Sequence, residues 1–170
     1  MIWKRFLKSE DDEALSGSAT RIEALVRQHM RDVDDDTIEL VIAVTGMLAS
    51  VAYADREYTD DERAHVREAL RLMQGLGPEG VDAICATLDH HIVEIASIST
   101  QPYTRALREL ADKDLRREVL DVLVDLAAAD GEIAMSETTL LRRATTAMGL
   151  EQDDYVASQA RYRERLSLLK

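Results

Sequence analysis

The hydrophobic residues of this chain recur at the spacing of α-helices along almost its whole length. Ile22, Leu25, Val26 and Met30 form one apolar stripe with the i, i+3, i+4 spacing of an amphipathic helix. The segment that follows Asp34 is apolar on nearly every side, which predicts a central, buried helix: Ile38, Leu40, Val41, Ile42, Val44, Met47, Leu48 and Val51. No stretch shows the strict alternation of a β-strand, so the pattern favours an all-α fold.

Several predicted helix boundaries coincide with capping residues. Thr59 followed by Glu62 is a capping box, in which each side chain bonds the backbone N–H of the other residue. Asp34 can cap the buried helix, and Gly131 suits the left-handed backbone that often ends a helix. With the stripes further along the chain, these signals predict a compact bundle of about eight helices.

Two parts of the chain resemble each other at an offset of 75 residues, as from Asp55 to Asp130. Residues 52–62 (AYADREYTDDE) align with residues 127–137 (AAADGEIAMSE), and apolar positions on either side of both segments also correspond. This predicts an internal duplication of a three-helix unit, with the two copies sharing one core. The two units are expected over about residues 35–97 and 112–169.

Composition and charge narrow the class of protein. A chain of 170 residues with 46 % hydrophobic and 32 % charged residues is typical of one soluble globular domain. Its net charge of −12 repels nucleic-acid phosphates and favours cations or a basic partner protein. The single cysteine, Cys85, excludes an internal disulfide and a thiolate metal site. With no secretory signal or long apolar run, the expected location is the cytoplasm.

The amino-terminal residues 1–17 are predicted to form a tip and linker ahead of the helical domain, which is expected over residues 18–170. In the tip, Trp3, Phe6 and Leu7 accompany three basic residues, although the rest of the chain is acidic. Such a tip can dock on a membrane surface or on a partner protein. The alternative, which the shortness of the tip favours, is a short helix that packs on its own domain.

The two aligned segments carry the candidate chemistry, and we call them the first acidic corner (residues 52–62) and the second acidic corner (residues 127–137). The two corners share three carboxylate positions within eight residues: Asp55, Glu57 and Glu62 in the first, and Asp130, Glu132 and Glu137 in the second. Hard cations such as Ca²⁺ and Mg²⁺ bind several oxygens, so one or both corners are candidate sites for a divalent cation.

A structural interpretation of the corners stands beside the metal hypothesis. The aspartates can bond backbone donors at a bend, and Glu62 can simply complete its capping box. Neither corner has the ligand spacing of an EF-hand loop. Acidic loops on so acidic a chain are commonly just solvated, which favours the structural interpretation.

The corner sequences ADREYTDDE and ADGEIAMSE, each followed by a helix and a Gly-Leu pair, resemble the signature of the tellurite-resistance TerB family. They also resemble the amino-terminal domain of a membrane-bound DnaJ-type co-chaperone. The resemblance covers roughly residues 20–170 and implies an all-α fold with acidic clusters. It further implies a bacterial stress response, including resistance to tellurite, in a metal-sensing complex peripheral to the inner membrane.

This sequence departs from the family pattern at one position and lacks one motif of the co-chaperone. Ala134 stands where a helix-capping Thr or Ser is expected, and Ser136 is the nearest substitute. The His-Pro-Asp motif of J-domains is absent, so the chain cannot stimulate an Hsp70 by that route.

Two functions remain open from the sequence. The first is a non-catalytic interaction module, tuned by a divalent cation at the acidic corners. The alternative is a metal-dependent hydrolase that uses the same carboxylates, which also needs an open metal position and a general base. Glu62 and His65 have the Glu-x-x-His spacing of di-iron bundles, but Leu140 stands where a second histidine would be needed. No other catalytic motif is present, so the sequence favours the module.

Overall fold

The computed structural model describes residues 13–168, which form eight α-helices and no β-strand. In chain order the helices are α1 (Glu13–His29), α2 (Asp35–Ala52), α3 (Asp60–Arg71), α4 (Pro78–Ala96), α5 (Gln101–Leu110), α6 (Lys113–Ala127), α7 (Met135–Ala147) and α8 (Gln152–Leu168). This confirms the predicted all-α fold of about eight helices.

Helix α2 is the centre of the bundle, as its apolar sequence predicted. It packs against α1 and against each of the helices from α3 to α7. Met47, Leu48 and Val51 on this helix are fully buried, because neighbouring helices cover it on several sides. Its N-terminus is capped by Asp34, whose Oδ1 accepts the backbone N–H of Thr37 at 2.9 Å.

Apart from α1 and α5, the helices form two groups of three, α2–α4 and α6–α8. In the first group α4 packs against α2 and α3, and in the second group α8 packs against α6 and α7. The groups also contact each other, since α2 packs against α6 and α7, and α3 packs against α6. The internal duplication stays a prediction, but helices that flank the first corner (α2 and α3) contact helices that flank the second corner (α6 and α7).

The first helix begins earlier than the sequence indicated. Helix α1 starts at Glu13, whereas the sequence predicted a linker up to residue 17. Residues 13–15 are Glu, Ala and Leu, which are strong helix formers, and one glycine at position 17 costs only about 1 kcal/mol within a helix.

The predicted tip residues Trp3, Phe6 and Leu7 lie outside the described residues. Within residues 13–168, no helix has the length and apolar character needed to cross a membrane.

Helix α5 packs against α2, and one close contact between them was not indicated by the hydrophobic pattern. The ring of Tyr103 lies directly over Gly46, so close that a Cβ atom on residue 46 would be 2.3 Å from the ring carbon Cζ. Both residues are buried, and Tyr103 is only 2 % exposed. A glycine in mid-helix is unfavourable by itself, so its role here is to admit the aromatic ring.

Candidate functional site

The two acidic corners bend in the same way. In the first corner the Oδ1 atom of Asp55 accepts the backbone N–H of Glu57 at 2.9 Å. In the second corner Asp130 accepts the backbone N–H of Glu132 at 3.3 Å. Both bonds are Asx turns, in which an aspartate fixes the backbone two residues further on. One carboxylate oxygen of each aspartate therefore accepts a backbone N–H at a bend, as the structural interpretation of the corners predicted.

The helices that follow the corners also begin in closely similar ways. Glu62 Oε2 accepts the backbone N–H of Thr59 at 2.7 Å, and Glu137 Oε2 accepts that of Ala134 at 2.7 Å. In the first corner the box is complete, because Thr59 Oγ1 accepts the N–H of Glu62 at 3.2 Å. Alanine has no side-chain oxygen, so only half of the capping box exists at α7. The expectation that Ser136 substitutes for the cap is wrong, since Ala134 is the N-cap residue and no side chain caps this helix.

The backbone passes through the left-handed region at the same position of each corner. This position is Gly131 in the second corner, with φ of 107°, as the sequence predicted. In the first corner it is Arg56, with φ of 73°. Arg56 is the single non-glycine residue with positive φ in the part of the chain described, and its left-handed backbone was not predicted from the sequence.

Burial divides the six predicted site residues into two classes. Four of them are exposed: Asp55, Glu57, Asp130 and Glu132. The other two are buried, with Glu62 at 5 % and Glu137 at 4 % exposure. Buried glutamates are rare because a charge loses its hydration inside a protein, and here neither of them has an ion-pair partner within residues 13–168.

The carboxyl group of Glu137 is strongly affected by this environment. Burial raises the pKa of Glu137 to about 7, and the N–H of Ala134 opposes the rise by bonding the charged form. The negative charges of Asp55, Glu62 and Asp130 raise this pKa further. Asp55 and Glu62 belong to the other corner, so the two corners are close enough to act on each other.

Glu62 shows the same coupling from the opposite side. Burial raises its pKa, the hydrogen bonds from Thr59 lower it, and the charges of Asp55 and Asp130 raise it again. We call Asp55, Glu62, Asp130 and Glu137 the acidic cluster. The sequence analysis treated the corners as two separate candidates, but the fold brings four of their six carboxylates into one electrostatic unit.

The acidic cluster does not have the geometry of a finished metal site. Among the described residues, no three Asp, Glu, His or Cys side chains are gathered closely enough to hold a metal ion. Carboxylate oxygens are nevertheless the ligands that Ca²⁺ and Mg²⁺ prefer. The exposed side chains of Asp55 and Asp130 would have to turn toward the buried pair. Glu57 and Glu132 are not among the largest influences on the pKa values of that pair.

The Glu-x-x-His pair of α3 forms no joint site. Glu62 is buried, whereas His65 is exposed and its Nδ1 lies 3.0 Å from the carbonyl oxygen of Asp61. The two side chains therefore face different surroundings. Cys85 is buried and burial raises the pKa of its thiol, which disfavours the reactive thiolate form.

The incomplete capping box at α7 leads to a first prediction. We expect Ala134→Thr to raise the free energy of unfolding by about 1 kcal/mol, because the threonine hydroxyl can accept the N–H of Glu137 as Thr59 does for Glu62. The reverse change, Thr59→Ala, should lower it by a similar amount. Urea denaturation of both variants measures the two effects. A loss of stability in Ala134→Thr would contradict the assigned cap.

The left-handed position of each corner leads to a second prediction. Arg56→Gly should raise the free energy of unfolding by about 0.5 kcal/mol, since relief of the left-handed strain outweighs the extra flexibility of the unfolded chain. Gly131→Ala should lower it by about 1 kcal/mol for the same reason. Thermal unfolding followed by circular dichroism measures both changes, and opposite signs for the two variants are the expected result.

Comparison with known proteins identifies a family whose sequence pattern matches most of this chain. The family model described as "Tellurite resistance protein TerB" matches residues 41–160, a range that includes both acidic corners. No curated protein and no solved structure gives a significant match.

Proposed function

Since the chain belongs to the TerB family, we propose that it is a non-catalytic interaction module of a tellurite-type stress response, in which the acidic cluster binds one divalent cation. The observation that carries the proposal is the electrostatic coupling of four carboxylates from two corners around the buried Glu62 and Glu137. Mutual repulsion of buried carboxylates is relieved by a proton or by a cation. A cation such as Ca²⁺ or Mg²⁺ would join the two helix groups at their contact.

The proposed mode of action is a change of surface charge. A divalent cation at the acidic cluster would cancel part of the net charge of −12 and fix the orientation of the exposed aspartates. A partner protein with a basic surface would then distinguish the cation-bound form from the free form. This mode needs no catalytic base. The alternative function, a metal-dependent hydrolase, has less support, since no arrangement of the described residues specifically favours it.

Isothermal titration calorimetry with Ca²⁺, Mg²⁺ and Mn²⁺ tests the cation site. We expect saturable binding of one ion per chain, and loss of that binding in the double variant Asp55→Asn with Asp130→Asn. Both aspartates are exposed, so this variant should stay folded. The double variant Glu57→Gln with Glu132→Gln removes the same charge and should keep most of the affinity. Absence of heat at millimolar concentrations of all three metals would end the cation proposal.

A pull-down from the native cell tests the interaction role. The protein is immobilised, and partners are recovered with and without a chelator. We expect partners that depend on the cation and that are lost with the Asp55→Asn and Asp130→Asn variant. Partners that ignore both the chelator and the variant would contradict regulation by the acidic cluster.

A further inference from the structure

Helix α1 begins at the end of the bundle that carries the two acidic corners. Its direction follows from two contacts with α4: Arg21 Nη1 donates to His91 Nε2 at 2.8 Å, and His29 lies against Gly80. Because Arg21 precedes His29 whereas His91 follows Gly80, the two helices are antiparallel. Helix α1 starts at Glu13, about 12 Å before Arg21, so it begins close to the end of α4.

An open cleft of about 320 Å³ joins the end of α4 to both corners. Ala96 lines it from α4, Tyr53 and Ala54 line it from the first corner, and Leu140 lines it from α7, the helix that follows the second corner. All four residues are half-buried, so the cleft has apolar surface that the described residues leave open. An aromatic side chain can pack on such a surface.

The charge at this end of the bundle is strongly negative. The first corner has five acidic residues and one arginine, and the second has three acidic residues and no basic residue. Two of these carboxylates, Glu62 and Glu137, are buried without an ion-pair partner in residues 13–168. Outside that range the chain has four basic residues, and three of them lie in the tip: Lys4, Arg5 and Lys8. The tip is therefore complementary in charge to the surface beside which α1 begins.

We infer that the tip, residues 1–8, docks on this end of its own domain, with its basic side chains against the acidic corners and its aromatic side chains in the cleft. The five residues from Lys8 to Glu13 can span up to about 17 Å, which is enough to reach a cleft that starts at the end of α4. Attachment to α1 also gives the tip a high effective concentration at this surface. An anionic membrane is a poorer occupant, because the acidic corners would repel it.

A cation at the acidic cluster would neutralise carboxylates that attract the tip. Cation binding and docking should therefore oppose each other, so that a divalent cation releases Trp3, Phe6 and Leu7 for contact with a partner protein. This competition rests on the proposed function, whereas the docking rests on the topology, the cleft and the charges alone.

Tryptophan fluorescence of the full chain tests the docking, because Trp3 is the single tryptophan. We expect emission at a shorter wavelength than in the urea-unfolded chain, and a shift back to longer wavelength in two test variants. The double variant Asp55→Asn with Asp130→Asn weakens the attraction of the corners. Ser97→Arg places a long cationic side chain on the exposed rim of the cleft.

Each test variant has a matched control at the opposite end of the bundle, where α1 ends and α4 begins. Asp32→Asn with Glu79→Gln removes the same charge there, and Gln74→Arg adds the same side chain. All three positions are exposed, so the controls should stay folded and should leave the emission of Trp3 unchanged.

The outcomes separate the docking from its alternatives and from the proposed function. Emission equal to that of the unfolded chain would overturn the docking. Short-wavelength emission that either test variant leaves unchanged would overturn the assigned surface, and emission that reverts on dilution would show a second copy of the chain as the occupant. A shift to longer wavelength on addition of Mg²⁺ or Ca²⁺ supports the competition. A docked tip that neither ion moves would support the docking and contradict the cation at the acidic cluster.

Discussion

Replacing Glu137 with glutamine is expected to raise the free energy of unfolding by about 2–3 kcal/mol at pH 8 in the presence of a chelator. The pKa of Glu137 in the folded protein is about 7, against 4.5 for an unperturbed glutamate. The carboxyl group of Glu137 therefore binds a proton more tightly in the folded state than in the unfolded state. As a result, the free energy of unfolding of the unchanged chain falls as the pH rises from 4.5 through 7. Glutamine carries no charge and can still accept the N–H of Ala134, so the variant avoids this loss.

The pH dependence of the difference is the decisive feature of that experiment. Below pH 4.5, where Glu137 is protonated in both states, the two proteins should have nearly equal stability. Glu132→Gln is the matched control, because it removes the same charge from an exposed position of the same corner. Urea denaturation across the pH range provides the data. A Glu137→Gln variant that is no more stable than Glu132→Gln at pH 8 would contradict the burial and repulsion assigned to Glu137.

Replacing Gly46 with alanine is expected to lower the free energy of unfolding by about 2 kcal/mol. The new Cβ would lie 2.3–2.5 Å from carbon atoms of the Tyr103 ring, which is too close for any real contact. The ring is 2 % exposed and cannot move aside without disturbing α5. Alanine is the better helix former by about 1 kcal/mol, so a measured loss means that the clash exceeds this gain. Thermal unfolding, followed by circular dichroism, measures the change.

The packing argument for Gly46 has its own control within the chain. A Cβ at Gly77 would have no atom within 4 Å, so Gly77→Ala should change stability by less than about 0.5 kcal/mol. A double variant, Gly46→Ala with Tyr103→Leu, should recover part of the loss, because the smaller side chain makes room for the methyl group. An unchanged or higher stability of Gly46→Ala alone would contradict the close contact between α2 and α5.

The features that the sequence predicted correctly are those that depend on neighbouring residues. The all-round apolar pattern identified α2 as the central helix, and Met47 and Leu48 are fully buried. The Thr59 and Glu62 capping box and the left-handed Gly131 were also predicted, because each needs only a few consecutive residues. Local hydrogen bonds and helical periodicity leave a direct mark on the sequence.

The features that the sequence did not predict depend on contacts between distant residues. The charges of Asp55 and Asp130 act on the same buried glutamates only because the contact between helix groups brings their corners together. The close approach of Gly46 to Tyr103 joins two helices that the hydrophobic pattern treats independently. The one available signal was Gly46 itself, since a glycine in the middle of a buried helix usually marks close packing.

The proposed response to cations has a physical basis in the acidic cluster. Two buried carboxyl groups with raised pKa values store unfavourable electrostatic energy at neutral pH, and the half-box at Ala134 leaves Glu137 with less support than Glu62. Protonation and cation binding are competing ways to relieve that energy. A cation should therefore bind more tightly as the pH rises above 7, which calorimetry at two pH values can measure alongside the metal titration.

The central claim is that the two corners form one electrostatic unit around the buried Glu62 and Glu137. Carbon-13 NMR of the side-chain carboxyl group of Glu137, followed through a pH titration, tests it most directly in the unchanged chain and in Asp55→Asn. A pKa of about 7 that falls clearly in the variant is the predicted result, because Asp55 of the first corner acts on a residue of the second. A pKa near 4.5, or one that Asp55→Asn leaves unchanged, would contradict the claim.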